Sequence, residues 1–504
     1  MVFSTFWIEY RLWRLNPAGY HLTNVLLHIG CCLLIWRILR RFKIPGPLLA
    51  ATIFAFHPVH VESVAWIAER KDVLSGFFFL AGIYFWDRFL KKGRVLDYCL
   101  VALAFFCAIT SKTVTCTLPV ILIVLTLWQK PSWWRNATLY LSPLFLGGLI
   151  LGLYTAWWEK ARFGAEGELF DLSLIERILL AGRAPWFYLS KIILPVHLFP
   201  IYPRWDLDPS VWWQWLFPIM SLALLVMAIL CRKWVAGGFT VAVLFFLIQL
   251  APAMGFISHS TMDLSFVADH YQYLASIAPI TLIAWLLAVG LDRFRIFSQF
   301  PNRTAGVVLL APLWILSLSY ASVFADSESL WTHALKANPD SWAVHNNLGT
   351  AYLENERYAA AVPHYQEAYR LNPEFEKPLV NLAIAMKKMG RHEEAVGYYL
   401  AALKVSPKSD FAHYHLARFM AEIGNKEKSE EHFRKALEGN PRNIAAHNSL
   451  GALLAESGRF DEAIIEFRDV LRINRFHKMA KRNLRKAWIG SGRQLPSESS
   501  DLPD

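Results

Sequence analysis

The sequence has few charged residues for its length and few cysteines. Charged side chains make up 18% of the 504 residues and hydrophobic side chains 55%, which excludes a single water-soluble globule. The six cysteines all lie in or beside apolar segments, between Cys31 and Cys231. They indicate no disulfide framework, and they leave the cellular compartment open.

Acidic residues are scarce as well, but only in the first part of the chain. Residues 1–325 hold 26 of the 51 Lys and Arg and 16 of the 40 Asp and Glu, so the net charge of +11 belongs almost wholly to them. Basic loops beside membrane helices are expected on topological grounds alone. The positive charge therefore does not indicate nucleic-acid binding, and we expect no nucleic-acid partner.

Apolar runs fill residues 1–325. They cover about ten stretches, most of them near the roughly twenty residues that a helix needs to cross a bilayer: 21–38, 46–56, 73–90, 95–110, 113–129, 137–157, 211–231, 235–254, 273–291 and 305–324. The stretch 46–56 is short, and it is tilted, re-entrant or continued by the segment after it. The pattern predicts an all-α fold in which a multispan membrane helix bundle forms the first domain.

The loops between these stretches alternate in charge. One set is short and consistently basic, whereas the other set is poor in cations, and residues 255–272 contain no Lys or Arg. The positive-inside rule then predicts that the second set, both chain ends and the domain after residue 325 are extracytoplasmic. We expect a multi-pass protein of the bacterial inner membrane, or of the endoplasmic reticulum if the source is eukaryotic.

A repeat of 34 residues organises residues 326–488. Its markers are Asn338-Pro339, Asn372-Pro373, Ser406-Pro407 and Asn440-Pro441. This period is that of tetratricopeptide repeats (TPRs), in which small residues let two helices approach and proline ends the second helix. We predict a TPR α-solenoid of a half repeat, four repeats and a capping helix, with a concave surface for a protein or peptide.

The last helix of this array is strongly basic. It carries seven cations that either form a polar cap or contact anionic lipid: Arg472, Arg475, Lys478, Lys481, Arg482, Arg485 and Lys486. Residues 489–504 have the composition of a disordered tail.

The stretch "HPVHVESVAWIAERKD", residues 57–72, is the most polar part of the membrane domain. If Pro58 opens a helix, His57, His60 and Lys71 share one face, while Glu62 and Glu69 lie on the other. A metal site would need its ligands on one side, so we expect no metal. A cationic face suits a phosphate, and the carboxylates could orient or activate an acceptor. A solvated re-entrant helix without a function is the alternative.

Further polar groups collect on the same predicted outer side. Each taken alone is explained by an exposed loop, but their accumulation favours a shared site. They are Lys112 in "TSKTVTCTLP", Arg183 and Lys191 in an amphipathic stretch, and Asp269, His270 and Tyr271 in "VADHYQYL".

Four segments followed by TPRs resemble one known family. "HLTNVLLH", "FAFHPVHVESVAWIAERKDVLS", "SKTVTCTLP" and "ADHYQYL" are similar to the TMTC-like transmembrane and tetratricopeptide-repeat proteins, which are related to protein O-mannosyltransferases. The resemblance implies a GT-C-like membrane glycosyltransferase that moves a sugar from a polyprenyl-phosphate donor to a protein hydroxyl. It implies no other cofactor. Its site residues here are His57, His60, Glu62, Arg70, Lys71, Asp72, Asp269 and Tyr271.

The chain departs from this family in two places. It begins inside what the resemblance identifies as the first outer loop, so we expect a truncated N-terminus whose acidic pair, including the principal base, would precede Met1. His270 stands where the family usually has arginine. The best bases within the chain are then Glu62 and Asp72. The cations expected to bind the donor phosphate are Lys71, Lys112, Arg183 and Lys191.

A second interpretation assigns the chain the same fold but no catalytic activity. In it the chain is a membrane-anchored scaffold whose TPRs gather other proteins, and replacing Glu62 and Lys71 would leave its function intact.

Overall fold

A computed structural model describes residues 1–163, 171–233, 237–258, 260–294 and 302–492, and every regular element in these ranges is helical. The chain divides into two compact units, Met1–Asn338 and Pro339–Asp504. The division falls after Asn338, so the predicted half repeat clusters with the first unit.

Helices α1 to α14 form the first unit. Proline at the first position of α2 and α3 suits a helix start, where the missing N–H has no partner to lose. The helices are α1 Val2–Trp13, α2 Pro17–Arg41, α3 Pro47–Phe56, α4 Val61–Ala65, α5 Arg70–Lys92, α6 Val95–Ser111, α7 Leu118–Gln129, α8 Trp134–Phe163, α9 Leu174–Ile193, α10 Leu216–Leu230, α11 Gly238–Leu250, α12 Ile277–Phe294, α13 Asn302–Ala321 and α14 Ser327–Ala337.

All ten predicted apolar stretches contain a helix. Within the described residues, however, four helices are long and apolar enough to cross a membrane, or up to six if each bent pair is one span. One of these pairs joins Pro47–Phe56 to Pro58–Ala65 with a bend of 57°, which accounts for the short predicted stretch 46–56. The count of about ten spans and the orientation in the membrane stay predictions.

The core of the first unit lies where α2, α3, α5, α6 and α7 pack together. Phe54, Trp86 and Ile121 are almost completely buried there. The Trp86 indole N–H donates to Thr126 Oγ1 at 2.9 Å, so the large ring is buried without an unsatisfied donor. This rigid core holds the polar ends of α3 and α5 in place.

The second unit contains the four predicted helix pairs and the predicted capping helix. The Cβ of an alanine at Gly349 or Gly451 would lie 2.8 Å from an aromatic ring of the partner helix, Tyr365 or Phe467, as the repeat predicts. The helices are α15 Trp342–Glu354, α16 Tyr358–Leu371, α17 Lys377–Lys388, α18 His392–Val405, α19 Asp410–Glu422, α20 Lys426–Gly439, α21 Ile444–Glu456, α22 Phe460–Ile473 and α23 Lys478–Gly490. The predicted tail lies outside the described residues from residue 493 onward.

Histidines recur at one position of the repeat with different partners. His413 Nδ1 lies 3.0 Å from His432 Nδ1, and burial lowers the pKa of His413. In the next repeat His447 Nδ1 lies 2.6 Å from Glu466 Oε2, and this hydrogen bond raises the pKa of His447. The same scaffold position therefore favours the neutral imidazole in one repeat and the charged form in the next.

Candidate functional site

Residues 57–72 do not form one helix. A 3-10 turn at Pro58–His60 leads into α4, Trp66 is extended with φ −82° and ψ 111°, and a second 3-10 turn at Ile67–Glu69 precedes α5. The single helix on which the predicted faces depend is therefore absent, because this break ends the helical period between Glu62 and Glu69. Glu62 and Glu69 still lie together and face His270, whereas Lys71 lies beside Glu69 and not with His57 and His60.

Glu62 and His270 form a buried hydrogen-bonded pair. The His270 Nδ1 lies 2.8 Å from Glu62 Oε1, and the His270 backbone N–H donates to Glu62 Oε2 at 3.2 Å. An ionised Glu62 therefore fixes the proton on Nδ1 and leaves Nε2 able to accept one. Burial lowers the pKa of His270, although the Glu69 and Asp72 carboxylates raise it. Its side chain keeps 13% of its surface exposed, whereas that of Glu62 keeps none.

A second carboxylate and a lysine lie beside this pair. Glu69 Oε2 is 3.9 Å from His270 Nε2, and this oxygen has no hydrogen-bond partner among the described residues. The other Glu69 oxygen lies 3.2 Å from the Lys71 ammonium, whose side chain is 41% exposed. Lys71 is therefore a cation of this cluster that a ligand from solvent can reach.

Asp72 and Lys112 form the far side of the same cluster. They make an ion pair, and Ser63 Oγ donates to the second Asp72 oxygen at 3.1 Å. The Lys112 ammonium also lies 5.8 Å from the centre of the Tyr271 ring, whose hydroxyl is 2.6 Å from Thr261 Oγ1. Both oxygens of Asp72 thus have partners, and the structure brings Asp72, Lys112 and Tyr271 together. We call Glu62, Glu69, Lys71, Asp72, Lys112 and His270 the acid–lysine cluster.

Asp269 faces away from the acid–lysine cluster. Its carboxylate is fully buried and accepts from the Tyr202 hydroxyl at 3.0 and 3.1 Å. Burial raises the pKa of Asp269 well above its ordinary value, and the Glu62 charge adds to this. Asp269 therefore fastens the segment around Tyr202 to the loop that carries His270.

Arg183 and Lys191, both on α9, interact within their own region. The Arg183 guanidinium lies 4.3 Å from the ring centre of Trp205, and the Lys191 ammonium donates to the carbonyls of Val196 and His197 at 3.2 and 2.9 Å. Neither has a contact with the acid–lysine cluster. Lys191 therefore holds the loop that follows α9 against the last turn of this helix.

His57 and His60 lie inside the core. His57 Nε2 lies 2.9 Å from the Ile192 carbonyl oxygen, and its Nδ1 accepts from the Val59 N–H at 3.4 Å. His60 Nδ1 lies 2.8 Å from the Phe54 carbonyl oxygen, and its Nε2 lies 2.8 Å from Ser276 Oγ. All four ring nitrogens have protein partners, so these rings tie the segment to α3, α9 and the start of α12.

Arg70 is fully buried and is bound from three sides. It makes an ion pair with Glu9 of α1, and it donates to Asn24 Oδ1 at 2.9 Å and to the Tyr20 carbonyl at 2.8 Å. Sequence reasoning missed Glu9, although it is the one acidic residue before Glu62 and lies in an apolar helix, which is a recognisable signal. Arg70 therefore joins α1, α2 and α5 rather than facing solvent.

Comparison with known families matches both parts of the chain. A model described as dolichyl-phosphate-mannose-protein mannosyltransferase matches residues 2–158. Two models described as tetratricopeptide repeat match residues 313–374 and 421–477, and residues 352–418.

Similar proteins fall into the same two groups. Protein O-mannosyl-transferase F38B6.6 of Caenorhabditis elegans is 23% identical over 73% of this chain and 53% of its own length. Protein O-mannosyl-transferase tmtc2 of Xenopus laevis is 40% identical over 16% of this chain and 10% of its own length. The crystal structure of a thermophilic TPR protein of Thermus thermophilus covers 37% of this chain and 96% of that chain at 20% identity, with a TM-score of 0.30. The chain spans about half the length of the first relative.

Proposed function

We propose that this chain, a TMTC-like protein similar to the protein O-mannosyl-transferases, moves a sugar of the mannosyl class from a polyprenyl-phosphate donor to a protein hydroxyl. We place this reaction on the extracytoplasmic side of the membrane. The supporting observation is the acid–lysine cluster, in which residues distant in sequence converge around an oriented imidazole. Such a set contains the base and the anion-binding cations that glycosyl transfer from a phosphate requires.

The donor phosphate binds at Lys71 in this proposal, with Lys112 as the second cation. Lys71 has one carboxylate partner, at 3.2 Å, and its side chain is 41% exposed, so a phosphate can share its charge. Lys112 is 18% exposed, and Asp72 orients it. We assign no donor contact to Arg70, Arg183, His57 or His60, because their polar or charged groups already have partners within the protein.

The acceptor proton goes to His270 Nε2. As the acceptor oxygen bonds to the anomeric carbon, the bond from that carbon to the phosphate oxygen breaks, and polyprenyl phosphate leaves with the electron pair. Glu62 acts through His270, since one Glu62 oxygen bonds to the His270 ring and the other accepts from the His270 backbone N–H. The sequence-based bases Glu62 and Asp72 thus become positioning residues, for His270 and Lys112 respectively.

The test is sugar transfer in proteoliposomes, with radiolabelled polyprenyl-phosphate mannose and a serine- and threonine-rich acceptor peptide. We expect His270→Gln to lower kcat about 100-fold or more with the donor KM unchanged. Lys71→Met should raise the donor KM, whereas Lys92→Met, an exposed lysine at the other end of α5, should change neither constant. A wild-type protein that transfers no sugar, or a His270→Gln variant with full kcat, would contradict the proposal.

In this proposal the TPR unit binds the acceptor protein. Side-chain amides connect the first helix of one repeat to that of the next, where Asn381 Nδ2 donates to Asn346 Oδ1 at 3.1 Å. They also connect the first helix of the last repeat to the capping helix, where Asn483 Nδ2 donates to Asn448 Oδ1 at 3.3 Å. Amides can bind the N–H and C=O groups of an extended peptide whatever its side chains. We therefore propose that these asparagines contact the backbone of the acceptor.

A non-catalytic scaffold is the second candidate, and one observation favours it. Neither Glu62 nor Asp72 has a carboxylate oxygen without a partner, as an unassisted base would require. Both candidates predict that Asn381→Ala weakens protein capture in a cross-linking assay. Only the enzyme predicts that His270→Gln abolishes the biological activity while capture stays at the wild-type level.

A further inference from the structure

The capping helix α23 carries a positive face that its own unit does not neutralise. Ala480, Leu484, Ala487 and Trp488 form its buried face. At about 100° per residue, the opposite face consists of Lys478, Arg482, Arg485, Lys486 and Ile489, with Lys481 at its border. All six are exposed.

Several exposed cations elsewhere in the repeats pair with a carboxylate. Arg434 pairs with Glu430 at 2.8 Å, Lys435 with Glu431 at 2.5 Å and Arg459 with Glu462 at 2.6 Å. Among residues 302–492, by contrast, the structure shows no ion pair for any lysine or arginine of α23. The helix contains no acidic residue at all.

A solubilising cap does not require this composition. A polar outer face suffices for a terminal repeat, and mixed charges supply one without repulsion. Here Lys478 occupies the first turn of α23, where the helix dipole disfavours a cation. The uniformly positive charge of the α23 side chains therefore lowers the stability of the helix, and it indicates an anionic ligand.

Large apolar side chains lie among the cations. Phe476 is 72% exposed, Met479 53% and Ile489 60%. Ile489 lies on the positive face, Met479 lies beside it, and Phe476 immediately precedes the helix N-cap, His477. Exposed apolar groups between lysines and arginines are typical of helices that lie in the interface of an anionic bilayer. An acidic protein would pair with the cations but would not require these three exposed side chains.

We propose that the outer face of α23 binds the head groups of anionic phospholipids, with Phe476, Met479 and Ile489 entering the interface. The first unit contains helices long and apolar enough to cross a bilayer, so lipid belongs to the surroundings of this chain. This inference is independent of sugar transfer.

Lysine acetylation tests the proposal on the full chain in nanodiscs. Its rate is measured by mass spectrometry in neutral phosphatidylcholine and after part of that lipid is replaced by phosphatidylglycerol. We expect the anionic lipid to slow acetylation of Lys478, Lys481 and Lys486 on the order of five-fold, and 0.5 M salt to remove the effect. Lys404, Lys426 and Lys428, exposed on other helices of the unit, should react at one rate in both lipids.

Charge reversal supplies the matched control. In the variant K478E/R482E/K486E, Lys481 can still be acetylated, and anionic lipid should no longer slow its acetylation. In K404E/K426E/K428E, anionic lipid should slow acetylation of Lys481 as in the wild type. The same rates in neutral and anionic nanodiscs would overturn the proposal. Protection of α23 by added polyglutamate but not by phosphatidylglycerol would also overturn it, in favour of an acidic protein partner.

Discussion

Removing either partner of the Arg70–Glu9 pair should destabilise the membrane unit strongly. Both side chains are buried, and the Arg70 guanidinium also donates to Asn24 and to the Tyr20 carbonyl. In Arg70→Met the buried Glu9 carboxylate loses its counterion, and two further acceptors lose a donor. The change therefore tests whether Arg70 is a structural residue or the phosphate ligand that the sequence suggested.

The cost follows from the burial of the pair. Breaking a buried ion pair from one side costs about 3–5 kcal/mol, because the remaining charge stays uncompensated. Each acceptor left without its donor adds about 1–3 kcal/mol when buried. We expect Arg70→Met and Glu9→Leu each to lower the free energy of unfolding by at least about 3 kcal/mol. The double variant should lose much less than the sum, since two apolar side chains can replace a buried pair.

The assay is equilibrium unfolding in mixed micelles of SDS and a mild detergent, followed by tryptophan fluorescence. Arg41→Met is the matched control, because the Arg41 side chain is 30% exposed and its partner Asp87 keeps Lys91 at 2.7 Å. We expect a loss of about 1 kcal/mol or less for this partly screened pair. A loss below about 1 kcal/mol for Arg70→Met, together with a raised donor KM, would refute the structural role.

Three further outcomes are expected. Gly451→Ala should lower the stability of the repeats by about 1–3 kcal/mol, because its Cβ would meet an aromatic ring at 2.8 Å, whereas Gly397→Ala, with open space around it, should be neutral or stabilising in limited proteolysis. In the wild-type protein burial lowers the pKa of His413, so its contribution to stability is present above about pH 6.5 and is lost as the pH falls. His432→Glu should reverse that slope in calorimetry, so that stability is present below about pH 6.5 and is lost as the pH rises, as for the histidine of the next repeat. Asp269 has a raised pKa, so its burial costs stability as the pH rises above about 4, and thermal unfolding of Asp269→Asn should show a smaller decline between pH 5 and 8.

The parts of the fold that repeat could be predicted, because a repeat makes the same local contacts many times. The spacing of Gly349 and Tyr365 in one repeat and of Gly451 and Phe467 in another identifies the helix pairs, and all four pairs are present. The apolar stretches likewise became helices. The bends and breaks between them could not be predicted, since a single extended residue such as Trp66 has no periodic signature.

Five of the six residues in the acid–lysine cluster were among the predicted site residues, Glu69 being the exception, but which predicted residues come together could not be predicted. The roles of Arg70 and Lys71 illustrate this, because they are adjacent cations with opposite surroundings. Arg70 points to Glu9, which is 61 positions away, and is buried, while Lys71 stays 41% exposed. Their positive charge alone suggested the same ligand for both residues. Their different roles become clear only from the side chains that each contacts in the folded protein.

The 3-10 turn Asp269–Gln272 explains how one short loop holds and exposes its histidine. In a 3-10 helix successive side chains point about 120° apart, so three neighbours face three directions. Asp269 accepts from Tyr202, His270 faces Glu62, and the Tyr271 hydroxyl meets Thr261. The two outer residues fasten the turn to different parts of the unit, and the hydrogen bond with Glu62 Oε1 orients the imidazole between them. A base held in this way has its accepting nitrogen positioned before any substrate arrives, which is the condition for efficient proton transfer.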